Sequence, residues 1–322
     1  METILSISLR HIFRKTKKTN ASKNKQLDIS NDMNIQFKSA GQITEVFNGI
    51  VDLLPIVKMV MTPAGISIKC LETNNISFID LLISKDDMKS YVVEEENSSI
   101  TFDLKLLLKI LSKMNRTSPF RLHHVHGSDT FKLSQLTKDY TLSLIDIEIQ
   151  GIDVPERENE VVVSIPSLKL KDTFETLLLF SETCRISALS TRKTLVLSSH
   201  GDFGSGREEY EIDEDDKITN TFYEFFPLPY LVKFMKAMKV SSHVNICMNR
   251  GKPVSLQFNY DNSYLRFYLA PKVSDDTDVS QQGPEEDDVL DVPVVEEDVV
   301  DGDGSESEYE EVMVTDSDED SD

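Results

Sequence analysis

The sequence predicts an α+β fold in which one strand-rich module with two helices is used twice. Three observations carry that expectation. The segment Phe102-Asp-Leu-Lys-Leu-Leu-Leu-Lys-Ile-Leu-Ser-Lys-Met114 can be set under Phe226-Pro-Leu-Pro-Tyr-Leu-Val-Lys-Phe-Met-Lys-Ala-Met238 at a constant offset, with Phe, Leu, Leu, Lys and Met at equivalent places. Each of these is followed by a polar break and a strand-like run, at 118–125 and at 242–248. An earlier apolar pattern also recurs at helical spacing: Ile43, Val46, Phe47 and Ile50 within 41–54, then Leu170, Phe174, Leu177 and Leu178 within 167–180.

The elements follow in order. The first module opens on the 41–54 helix and continues through short alternating strands, such as 65–69 and 130–134, with the 102–114 helix between them. The second module has the 167–180 and 226–238 helices, with strands at 161–165, 195–198 and 254–258. A period of about 120 residues is too long for a solenoid repeat, so a duplicated domain is expected.

The chain has 322 residues, room for two domains, and a formal charge of -22. That charge is local. From Val273 to Asp322 there are 22 Asp and Glu and no Lys or Arg, and the preceding residues balance at 34 acidic and 34 basic. The tail, 274–322, has too little apolar surface to offset the entropy of ordering and is expected to be disordered. Ser305, Ser307, Thr315, Ser317 and Ser321 lie among its carboxylates and suit an acid-directed kinase. The first 33 residues have the opposite bias, with Arg10, Arg14, Lys15, Lys17, Lys18, Lys23 and Lys25 against Glu2, Asp28 and Asp32. They read as a disordered basic extension, either simply solvated or serving as a nuclear-targeting or nucleic-acid-touching arm.

Enzyme chemistry is not expected. Cys70, Cys184 and Cys247 are dispersed and lack a CxxC spacing, which argues for a reducing compartment and against a zinc site or disulfide scaffold. His124 and His126 share a strand face, but no third ligand stands near them. The Gly-rich run 201–206 lacks the phosphate-binding lysine and reads as a turn. No cofactor, metal or membrane span is expected, since no apolar run approaches the roughly 18 residues a span requires.

The helices carry a more informative pattern. Lys105, Lys109 and Lys113 are four apart and share a face opposite Leu104, Leu107, Leu108 and Leu111. Lys233, Lys236 and Lys239 repeat this in the second copy, and Lys169 and Lys171 add to it. Recurrent lysine stripes suit contact with phosphates that reads no base sequence.

Two further segments carry a family resemblance. Leu265-Arg-Phe-Tyr-Leu-Ala-Pro-Lys-Val273 and Leu144-Ile-Asp-Ile-Glu-Ile-Gln-Gly-Ile-Asp-Val-Pro-Glu-Arg-Glu158 resemble the C-terminal end and the interdomain connecting loop of the proliferating cell nuclear antigen family of DNA sliding clamps. The resemblance covers about 34–273. It implies clamp domains at 34–143 and 159–273, joined by a loop at 144–158, in a ring of three identical chains. It further implies a non-enzymatic processivity factor in the nucleus or at a viral DNA replication site. Its partners would be double-stranded DNA, DNA polymerase and other proteins with clamp-binding peptides, a clamp loader, and further copies of itself. The alternatives are a subunit of a heterotrimeric checkpoint clamp and a monomeric DNA-binding polymerase processivity subunit.

Site residues follow from the same resemblance. The eight lysines above would face DNA. The partner groove would be lined by Leu71, Ile76, Ile152, Val154, Pro155, Pro253, Tyr268, Leu269, Ala270, Pro271 and Lys272. The subunit interface would use Tyr140, Leu142 and Leu144 on one side and Phe174, Leu177, Phe180 and Tyr210 on the other. Three departures stand out. The 41–54 helix carries Glu45 and Asp52 and no lysine, Asp172 and Glu175 stand where the family tends to be basic, and Asn75 replaces a histidine. The second interface strand, 207–213, is also very acidic.

Overall fold

The computed structural model describes residues 32–93, 98–147, 149 and 158–272. The expected N-terminal arm, the acidic tail and most of the connecting loop, including Ile152, Val154 and Pro155, lie outside the described residues.

The first half runs β1 (Asp32–Phe37), α1 (Ala40–Ile50), β2 (Ile56–Thr62), β3 (Gly65–Leu71), β4 (Ser77–Ser84), β5 (Met88–Val93), β6 (Ser99–Asp103), α2 (Leu104–Leu111), β7 (Phe120–Val125), β8 (Thr130–Gln135) and β9 (Lys138–Ser143). The second half runs β10 (Val161–Pro166), α3 (Ser167–Leu177), β11 (Thr183–Leu189), β12 (Thr194–Gly201), β13 (Gly204–Glu211), β14 (Lys217–Ile218), β15 (Phe222–Pro227), α4 (Leu228–Phe234), β16 (His243–Met248), β17 (Val254–Tyr260) and β18 (Ser263–Leu269). The two series match element for element. β1 starts two residues before the domain boundary expected from sequence, and Met33 on it is core.

Local chemistry explains the helix ends. Ser39 caps α1 by accepting from the Gln42 amide at 3.2 Å, and Asp103 caps α2 by accepting from the Leu106 amide at 2.9 Å. α3 and α4 instead follow Pro166 and Pro227, and neither has a side-chain cap. After α4 the chain tightens into a 3-10 turn, Met235–Lys239. Lys236 and Lys239 therefore sit on a 3-10 turn, three residues apart and eclipsed, and not on a continuous α-helix.

The sheets repeat the duplication. The order β5-β1-β7-β8-β9 has its counterpart in β14-β10-β16-β17-β18, and β6-β2-β3-β4 in β15-β11-β12-β13. All strand pairs are antiparallel. The hairpins β8–β9 and β17–β18 each turn through a left-handed residue, Leu136 (φ 54°) and Asp261 (φ 47°). One pairing has a special place: β18 of the second half bonds to β4 of the first, fusing eight strands and the short β14 into a single sheet. The counterparts of those two strands, β9 and β13, are both sheet edges.

The halves are also pinned by a buried polar knot. Asp87, in the 3-10 turn Lys85–Asp87, accepts from the Asn262 amide (3.0 Å), from Asn262 Nδ2 (2.9 Å) and from the Ser263 hydroxyl. Removing a carboxylate that serves three donors leaves them unsatisfied. Asp87→Ala is expected to cost about 3 kcal/mol and to lower the unfolding midpoint by roughly 6–12 °C. A midpoint within about 2 °C of wild type in a thermal melt would refute this role.

Candidate nucleic-acid interface and partner groove

The apolar stripes of the helices close over the sheets, and their opposite faces form one exposed row. α1 touches α2 on one side and α4 with its 3-10 turn on the other, and α3 packs against α4 and the same turn. The row therefore runs α2, α1, α4, α3. Gly49 lets α1 come close to the 3-10 turn, since a Cβ there would stand 3.1 Å from that of Ala237.

All eight lysines predicted from sequence are on this row or on the turns that follow α2 and α4, but their surroundings differ. Lys105 and Lys109 on α2, and Lys113 in the turn just past its end at Leu111 where the sequence predicted helix, are exposed and have no ion pair among the described residues. Lys171 bonds Glu175 at 2.6 Å and lies 3.8 Å from Asp172; the Glu175 hydrogen bond holds its ammonium above the usual lysine range. Lys169 stands 3.3 Å from Glu208 and 4.5 Å from the centre of the Tyr210 ring. Lys236 pairs with Asp52, and Glu45 pairs with Arg116 and, at 3.9 Å, with Lys239. Lys233 lies over the Tyr230 ring at 5.1 Å.

The groove residues that are described gather where β18 leaves the sheet. Leu71, Phe78 and Tyr268 are in register across β3, β4 and β18 and so share a face. Phe78 and Tyr268 meet with ring centres 5.8 Å apart. The Ala270 amide donates to the Ile76 carbonyl at 3.0 Å, and the Lys272 amide donates to the Phe225 carbonyl at 2.7 Å, tying the C-terminal segment down on both sides. Ile76 is 38% exposed, and Pro253 and Lys272 are exposed at the rim. Leu269 is a correction: it is fully buried in the core, because alternation along β18 turns it away from Tyr268.

The loop from Leu71 to Ile76 is shaped by its own side chains. Glu72 is buried and accepts from the Asn74 amide (3.1 Å) and Asn74 Nδ2 (3.0 Å), while Tyr230 donates to it at 3.4 Å. Asn75 holds a left-handed φ of 59°, a conformation asparagine tolerates. Burial pushes the Tyr268 phenol above its ordinary value.

The interface candidates divide in the same way. Tyr140, Leu144 and Phe180 are half-buried and available at the edges. Leu142, Phe174, Leu177 and Tyr210 are buried within the protomer, because α3 closes its apolar stripe over the β11–β13 sheet and β9 turns Leu142 inward. They support the edges from beneath and do not present a surface. Sequence reasoning missed Phe78, since β4 is buried along both faces, Asp80 included, and a clean apolar–polar alternation gives no signal there. It also missed Leu136, Leu179 and Phe203, which are highly exposed apolar side chains at the ends of β9, α3 and the β12–β13 hairpin. Their signal was a large apolar residue within a turn.

No group of His, Cys, Asp and Glu able to hold a metal ion occurs among the described residues. The three thiols are buried, and desolvation pushes Cys184 to about 12 and Cys247 to about 11. No helix among the described residues is long and apolar enough to cross a membrane.

Comparison with known proteins agrees with this geometry. The family model "Proliferating cell nuclear antigen, N-terminal domain" matches residues 32–157, and the corresponding C-terminal domain model matches 153–273. A proliferating cell nuclear antigen from Chaetomium thermophilum is 25% identical over 261 residues, covering 75% of this chain and 98% of the relative. One from Caenorhabditis elegans is 24% identical over 255 residues, covering 74% and 96%.

Proposed function

The chain belongs to the proliferating cell nuclear antigen family of DNA sliding clamps and processivity factors, and from that premise we propose how it works. Three copies close into a ring whose inner wall is the helix row. The ring holds duplex DNA by topology and by phosphate contacts, and it tethers polymerase and other replication and repair proteins through the groove. A clamp loader opens it, and it acts in the nucleus or at a viral DNA replication site.

The observation that carries the trimer is the β18–β4 seam. Within the chain this pairing leaves β9 and β13 as the unpaired counterparts of the two strands that make it. A second copy offers the partner that each lacks, and exposed sheet edges are normally paired or protected. The helix row supports the same arrangement. α4 and its turn meet α1 inside the chain, so α2 and α3, at the ends of the row, are left to meet across the subunit boundary. The rival readings, a heterotrimer subunit or a monomer, gain no support from the comparisons.

Native mass measurement of the full chain is the direct test. Three chains per particle at micromolar concentration, together with processive synthesis on primed circular DNA, is the expected result. A monomer at tens of micromolar would overturn the self-sufficient ring.

A further inference from the structure

We propose that this clamp concentrates its DNA-tracking charge on α2, and that Glu45 and Asp52 commit Lys236, Lys239 and Arg116 to the joint between the two halves of the chain. The inference rests on the reading of the helix row as the duplex-facing wall. Every cation at the α1 joint meets a carboxylate: Lys236 with Asp52, and Arg116 and Lys239 with Glu45. The joint is tight, with Ala237 packed against Gly49 between those pairs. On α3 the lysines are matched too, Lys171 by Glu175 and Asp172, and Lys169 by Glu208. Lys105, Lys109 and Lys113 stand apart as a cluster, exposed and without a carboxylate partner among the described residues; Lys233 of α4 also lacks one but lies alone, its ammonium 5.1 Å from the centre of the Tyr230 ring.

The difference governs what a phosphate gains. An unpaired ammonium that meets a phosphate releases counterions condensed on the DNA, which is the main source of affinity. A paired one must first give up its carboxylate, and that carboxylate then stays beside the phosphate and repels it. On α2 Lys105 and Lys109 are separated by a rise of about 6 Å along one helix face, and Lys113 follows in the turn after it, so the cluster meets phosphates without reading bases. In a ring, α2 lies at the subunit boundaries, and the duplex would be held at three such stripes rather than by every helix equally.

The test is equilibrium binding of the full chain to a 30-base-pair duplex across a salt series, with native mass and thermal melting as controls. Replacing Lys105, Lys109 and Lys113 by Gln is expected to weaken binding and flatten the plot of log affinity against log salt by about 0.9 for each phosphate no longer neutralised. Glu45→Gln with Asp52→Asn is expected to do the reverse, raising affinity and steepening the slope as Lys236 and Lys239 become available. Asp52→Asn alone, which keeps shape and volume, carries the test if the double variant melts early. A triple α2 variant with an unchanged slope, or carboxylate variants with unchanged or weaker binding, overturns the proposal. Wild-type rings that bind no duplex even at low salt overturn the helix-row reading along with it, whereas a steep wild-type slope that the α2 variant leaves intact overturns this inference alone.

Discussion

Tyr140→Ala is expected to convert the proposed trimer to monomer at micromolar concentration. The hairpin correspondence gives the reason. Gln135–Lys138 matches Tyr260–Ser263, so Tyr140 stands where Leu265 does, and Leu265 pairs with Leu81 across the in-chain seam. Counting the β12–β13 ladder against β3–β4 sets Glu208 and Gly206 of a neighbouring copy opposite Tyr140 and Leu142. At Gly206 the place a Cβ would take is already filled by the Phe180 ring and Leu177 of the same chain, which set the apolar floor of that edge. An edge pairing of this size buries few large side chains, and a central aromatic is the kind of residue that dominates such contacts. Its loss should cost about 2 kcal/mol or more per boundary, roughly a thirtyfold weakening at each of three boundaries. Sedimentation of wild type and variant side by side decides it; a variant still trimeric at low micromolar concentration would show that this strand does not close the ring.

The second large effect belongs to the groove. Tyr268 forms a continuous face with Phe78 and Leu71, and its strand is held between β4 and β17, which pair it through Phe78 and Ser255. Tyr268→Ala removes the wall against which an aromatic anchor would sit. A synthetic clamp-binding peptide with a Gln and a hydrophobic-aromatic anchor should bind at least thirtyfold more weakly, equivalent to about 2 kcal/mol, with the native mass unchanged. Ile152→Ser with Val154→Ser, on the loop side, should abolish polymerase stimulation in the same way. Peptide affinity unaltered by either change would place docking elsewhere.

How much of this was legible in the sequence depended on whether the signal was local. The helices were readable because Leu107, Leu111, Phe174 and Leu177 recur at the helical period, and the edge strands because Tyr140 and Leu142 alternate. The lysines were readable as positions but not as free or bound charges. Asp52 and Lys236 are 184 residues apart, and only the folded joint brings them together. Burial was hidden for the same reason: the resemblance places Phe174 and Tyr210 at the interface, yet both side chains are buried within their own protomer. Glu72, Asn74 and Tyr230 form a cluster whose third member comes from the other half of the chain.

The seam between β4 and β18 has a consequence for how the protein is made. Tyr264 opposes Leu82, so a strand formed early in synthesis waits for the last described strand before its outer edge is covered. On a ribosome adding about 5–20 residues per second, that interval is roughly 10–35 seconds. Throughout it the nascent first half exposes the outer edge of β4, a strand buried on both faces in the folded chain, as an open template for any other strand. Closing so distant a pair is entropically late and slow. Shortening the chain into 263–269 would therefore do more than remove a docking segment, because it would leave that nascent edge permanently uncovered and send the product toward aggregation.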